Sequence, residues 1–214
     1  MDVTLLLLAA GCASAYLFFT SRPEGLLRSV LKTASVAMLA VLAFLSDASI
    51  LLGGGLLLCA VGDYCLSREG ERAFMAGVGA FAAGHLAYTA LFLTVPGSEF
   101  ARLVQMPGLL VALGLVSLGL VMVRVLGPRA GALKGAVLAY IPIILSMGVA
   151  AATLPAQGAL IWALPAAMAF IASDVVLAFE TFVLREEHAL RRIAPFVVWP
   201  LYWAAQIGFL FAFW

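Results

Sequence analysis

From Gly158 to Phe182 the chain reads GALIWALPAAMAFIASDVVLAFETF, an apolar run long enough to cross a bilayer, with Asp174 and Glu180 inside it. A crossing needs about 20 apolar residues, and comparable runs recur near 3–20, 29–46, 49–67, 73–95, 104–126, 131–153, 157–183 and 193–214. Lipid offers the backbone no hydrogen-bond partners, so a crossing run that is not part of a closed barrel has to be a helix. The expected fold is therefore all-α, an eight-helix transmembrane bundle forming a single domain over residues 1–214. Connections such as Ser21 to Gly25, Arg68 to Arg72, Pro96 to Glu99 and Gly127 to Arg129 leave no room for a soluble domain. Composition agrees: 65% of residues are hydrophobic and 11% charged, against roughly 45–50% and 25% in soluble domains. A net charge of +1 without a basic cluster argues against nucleic acid as a partner. The expected partner is membrane lipid, and oligomeric state is not legible.

Within such spans a carboxylate costs at least a few kcal/mol and marks a functional site by default. Two stand out, Asp63 in Gly62-Asp63-Tyr64-Cys65-Leu66 and Asp174 in Ser173-Asp174-Val175-Val176-Leu177. Glu180 lies close to Arg185 and reads as a snorkelling side chain, while Asp47, in Ser46-Asp47-Ala48-Ser49, reads as a helix cap. The segment Leu8 to Cys12 loosely resembles a lipoprotein cleavage site. Asp2 and the lack of any Lys or Arg before it favour a retained first helix instead. Cys12, Cys59 and Cys65 read as packing residues, with no metal or redox spacing.

Of the 12 Lys and Arg residues, all but Arg102 fall in or beside the first, third, fifth and seventh connections. That bias places these connections in the cytoplasm and both termini away from it, and the expected location is a bacterial inner (plasma) membrane. Asp63 then lies about 7–8 Å before Arg68 along its helix, and Asp174 about 16 Å before Arg185. Lys32, Tyr140, His85 and Gln206 are expected near the same level. The Asp63 and Asp174 motifs, together with Tyr88 and Tyr202, also fit a parallel four-plus-four repeat with a site between the halves.

His85 and Tyr88 share a helical face, as do Tyr202 and Gln206. A Tyr or Trp near a helix end is often a membrane-belt residue, and a lone His or Gln is often interhelical glue. The aspartates need more explanation, because a structural Asp requires a partner, for which Lys32 is a candidate. Two buried carboxyls at one site favour one neutral and one ionised member, the division that general acid/base hydrolysis uses. His85 and His188 are the only histidines, too few for a multi-histidine zinc site. There is also no GxSxG or HExxH. Metal-free chemistry at Asp63 and Asp174, without a cofactor, is the expectation.

These motifs resemble those of the YhhN family, which includes the animal lysoplasmalogenases. The resemblance rests on Gly62-Asp63, Gly84-His85 with Tyr88, Tyr140 with Ser146-Met147, Ser173-Asp174 and Tyr202-Trp203-Ala204-Ala205-Gln206, in that order. It implies hydrolysis of the vinyl ether bond of an alkenyl lysophospholipid to a fatty aldehyde and glycerophosphoethanolamine or -choline. Asp63 and Asp174 would be catalytic. Lys32, His85, Tyr88, Tyr140, Tyr202 and Gln206 would bind substrate or water, with Lys32 on the phosphate. The competing reading is a transporter or flippase of a lipid or small amphiphile using the same polar residues.

Overall fold

Short connections fold each helix back along its predecessor, so apolar runs become an antiparallel series. The computed structural model describes residues 2–23 and 25–214; Glu24, in the first connection, lies outside the described residues. The helices are α1 (Val3–Leu17), α2 (Leu26–Phe44), α3 (Ile50–Leu66), α4 (Glu71–Thr94), α5 (Gly108–Leu126), α6 (Lys134–Ala152), α7 (Ala163–Phe182) and α8 (Ala189–Phe213). No strand occurs among the described residues. Six of the helices are long and apolar enough to cross a membrane. The other two, α1 and α3, are apolar but have 15 and 17 residues. At 1.5 Å per residue they reach roughly 22–26 Å, short of the full hydrocarbon thickness. Because α3 joins two spanning helices by short turns and lies against both, it accompanies them across. The protein is an integral membrane helical bundle.

Local chemistry explains the helix ends. Asp2 starts α1 by accepting from the Thr4 and Leu5 amides at 2.9 and 3.3 Å, and Cys12 lies inside that helix. The cap expected at Asp47 is instead Ser49, whose hydroxyl accepts from the Leu51 amide at 3.3 Å; Asp47 belongs to the preceding turn. His188 caps α8 through Nδ1, which accepts from the Leu190 amide. The run expected to begin a helix at 157 starts as a short 3-10 segment, Gly158–Trp162, because Gly158 takes a φ of +53° that only glycine adopts readily. Regular α7 follows at Ala163.

Glycines let α3 and α4 approach closely. A Cβ on Gly62 would stand 2.7 Å from the Phe81 ring, and one on Gly84 would stand 2.9 Å from Cys59 Sγ. Small residues permit this kind of backbone approach in membranes, where lipid supplies no hydrophobic drive between helices. Each of these glycines precedes a polar residue, Asp63 or His85, and so carries that residue into the interior. Large apolar side chains on the outside, such as Leu7, Leu113, Val116 and Leu120, suit a lipid-facing surface.

Candidate active site

The two aspartates are partnered in parallel ways. Asp63 on α3 receives Lys32 from α2, with Nζ 3.1 Å from Oδ1, and the Tyr202 hydroxyl from α8, which donates to Oδ2 at 2.7 Å. Asp174 on α7 receives the Tyr140 hydroxyl from α6, which donates to Oδ2 at 2.6 Å. His85 from α4 places its Nε2 3.8 Å from the same oxygen. In each case one partner comes from the preceding helix and the other from the last helix of the opposite half of the chain, α8 for Asp63 and α4 for Asp174.

The imidazole has a defined tautomer. Its Nδ1 lies 2.6 Å from the Phe81 carbonyl oxygen, and a carbonyl only accepts, so Nδ1 carries the proton and Nε2 of a neutral ring is a free acceptor. That Nε2 is buried and has no hydrogen-bond partner. It faces Asp174 with its lone pair. Phe170 holds this region in place, its ring centroid lying 4.4 Å from His85 and 5.2 Å from Tyr202. Nothing in the sequence distinguishes Phe170 from the other apolar residues of α7.

A cavity of about 320 Å³ runs inward from the end of the bundle that carries most of the Lys and Arg. Residues at or near all four connections of that end reach it, among them Thr20, Phe74, Leu133 and Phe182, and none from the second, fourth or sixth connection does. Asp174, Tyr140 and Tyr202 line it part of the way in, Ile144, Leu145 and Ile171 lie deeper, and one side is an apolar slot between α5 and α6 built from Leu118, Met122, Ile141 and Leu145. Toward the mouth stand Lys32, Arg28 and Glu180. Among the described residues no group of three or more His, Cys, Asp or Glu is placed to hold a metal ion.

The sequence-derived site divides on this geometry. Lys32, Tyr140, Asp174 and Tyr202 line the cavity. Asp63 does not: its side chain is 1% exposed behind Lys32 and Tyr202, whereas that of Asp174 is 16% exposed. The expectation of chemistry at both acids is corrected to this extent, that only Asp174 lines the cavity, because the ion pair that satisfies Asp63 also shields it. Tyr88 and Gln206, expected on substrate, are buried off the cavity and bond each other, the Tyr88 hydroxyl donating to Oε1 at 2.6 Å. His85 is also buried off the cavity and reaches it only through Asp174 and Tyr140. Arg28 was legible only as a topology signal, yet it lines the cavity one helical turn beyond Lys32.

A polytopic helical bundle with an internal cavity that opens at its basic end, a carboxyl inside it and cations toward its mouth, belongs among helical membrane proteins. More particularly, the chain belongs to the YhhN family, whose model matches residues 27–213. The match begins at the start of α2 and runs to the end of α8, taking in both aspartates. No curated protein and no solved structure matches the chain.

Proposed function

We propose that the protein is a lysoplasmalogenase-like hydrolase that cleaves the vinyl ether bond of alkenyl lysophospholipids. The observation that carries this reading is Asp174: a carboxyl with no Lys or Arg of the described residues within ion-pair distance, set inside a cavity whose wall is largely apolar and whose mouth is cationic. An alkenyl chain fits the slot between α5 and α6, and a phosphate-bearing end fits the mouth. Family membership supports the same activity class.

The chemistry assigns the two acids different work. Vinyl ether hydrolysis begins with proton transfer to the β-carbon, giving an oxocarbenium ion. Asp174 is the donor. Its Oδ2 is engaged by Tyr140, which leaves Oδ1 for the substrate. The resulting carboxylate stabilises the cation and then takes a proton from the water that adds to it. That addition gives a hemiacetal, which collapses to a fatty aldehyde and the glycerol hydroxyl, and Asp174 ends the cycle protonated. His85 and Tyr140 orient the carboxyl, while Asp63, held by Lys32, fixes the Tyr202 hydroxyl at the cavity wall. Asp63 is thus a positioning residue.

A transporter requires a path to both faces, and the cavity is lined only from the basic end and the bundle centre, which favours the enzyme. The test is mass spectrometry of products after purified protein is given alkenyl, alkyl and acyl lysophospholipids. Release of aldehyde from the alkenyl members alone is expected. Release of fatty acid from the acyl members, or no product from any, would overturn the proposal.

A further inference from the structure

The mouth of the cavity contains charged groups that the proton transfer does not use. Lys32, the obvious phosphate ligand from sequence, is committed to Asp63 at 3.1 Å. Arg28 is not committed in that way. It forms no ion pair with any described residue; one Nη donates to the Thr20 carbonyl at 3.3 Å, and its Nε is buried without a partner. Glu180, which also lines the cavity, likewise has no cation within 4 Å among the described residues, and Arg191 on α8, a cation that acts on it, donates its Nη1 to the Leu184 carbonyl. A guanidinium bonded only to a backbone carbonyl, and a carboxylate with no ion-pair partner, both among the described residues, therefore line one opening.

We propose that Arg28 and Glu180 form a subsite for a zwitterionic amino-phosphate headgroup, Arg28 holding the phosphate and Glu180 the ammonium. The inference rests on the hydrolase reading and extends it to headgroup selection. The guanidinium fork matches phosphate oxygens better than an ammonium does. The spacing also fits. Glu180 is six residues beyond Asp174 on α7, about 9 Å nearer the mouth at 1.5 Å per residue. In a lysophospholipid five bonds separate the ether oxygen from phosphorus and four more reach the amine, roughly 6 and then 5 Å at ordinary bond lengths. A headgroup whose reacting end is at Asp174 thus extends its amine to the level of Glu180, with its phosphate on the way to the mouth that Arg28 lines.

The test measures binding of uncleavable ligands to the full-length protein in nanodiscs, following tryptophan fluorescence, since Trp199 lines the cavity. The probes are alkyl-ether lysophosphoethanolamine, alkyl-ether lysophosphatidic acid, the alkylglycerol without phosphate, and soluble phosphoethanolamine and inorganic phosphate. Wild type should prefer the phosphoethanolamine lipid, then the phosphate lipid, then the alkylglycerol, with the soluble anions far weaker. Arg28→Gln should weaken both phosphate lipids by about 10- to 100-fold and leave the alkylglycerol unchanged, and Arg28→Lys should recover part of the loss. Glu180→Gln should erase only the preference for the amine. The proposal is overturned if Arg28→Gln weakens all three lipids in parallel, if Arg28→Gln or Glu180→Gln leaves the ranking intact, if wild type binds none of the lipids, or if inorganic phosphate binds as tightly as the lipids. Alkyl ethers are not hydrolysed, so these affinities are read whether or not vinyl ether cleavage is found.

Discussion

Removing Lys32 should destabilise the protein more than neutralising Asp63, and removing both should cost much less than the two losses added. The Asp63 side chain is 1% exposed and that of Lys32 18%, so the two halves of the pair are not equivalent. Lys32→Met leaves a buried carboxylate with only the Tyr202 hydroxyl against it, and breaking a buried pair from one side costs about 3–5 kcal/mol. Asp63→Asn leaves a lysine that the cavity can hydrate, and the carbonyl oxygen of the introduced amide can still accept from Tyr202; a loss of about 1–3 kcal/mol follows from one broken charged hydrogen bond. In the double variant neither orphan exists, which predicts a favourable coupling of about 1–3 kcal/mol. Reversible unfolding of the four proteins in mixed micelles measures the cycle. Additive losses, or a larger loss for Asp63→Asn than for Lys32→Met, would refute the ion pair as the source of the stability.

Three further outcomes follow from the same geometry. Tyr88→Phe should leave turnover within a few-fold of normal while lowering stability by about 1–3 kcal/mol, because Gln206 Oε1 loses its donor at a buried site; folded-fraction-corrected activity checks it. Gly62→Ala should cost about 1–3 kcal/mol through overpacking, its Cβ arriving 2.7 Å from the Phe81 ring, and a melting temperature equal to wild type would show that the α3–α4 contact is looser than described. Activity should survive EDTA, since the described residues offer no cluster of metal ligands; loss of turnover restored by zinc would require a different mechanism.

Much of the architecture was legible because hydrocarbon imposes a simple code of length and polarity. All eight runs became helices, and Lys32, Tyr140 and Asp174 meet at one cavity, whereas Asp63, His85 and Gln206, expected at the same level, are buried off it. What the code lacks is direction around the helix. Lipid and bundle interior are both apolar, so Phe170, which packs on His85 and Tyr202, looks in sequence like any outward-facing residue of α7. For the same reason Asp63 and Asp174 appear equivalent, although Lys32 shields one and leaves the other facing the cavity. Arg28 was hidden differently: a basic residue at the end of a span reads as a topology signal whether it reaches to lipid headgroups or turns into a cavity. The boundary of α7 shifted because a positive φ at Gly158 is a backbone preference that an apolar count does not register.

The central claim is that Asp174 delivers a proton to carbon, and hydrolysis in D2O tests it most directly. Protonation of the vinyl ether β-carbon by an acid that exchanges with solvent places one deuterium on the carbon next to the aldehyde, so each aldehyde molecule should be one mass unit heavier than that formed in H2O. Asp174→Asn should lower the rate of this product by roughly 10²–10⁴-fold, the usual worth of positioned acid/base catalysis, while the variant remains folded. Aldehyde without carbon-bound deuterium, or a well-folded Asp174→Asn protein that forms labelled aldehyde at the wild-type rate, would contradict the account.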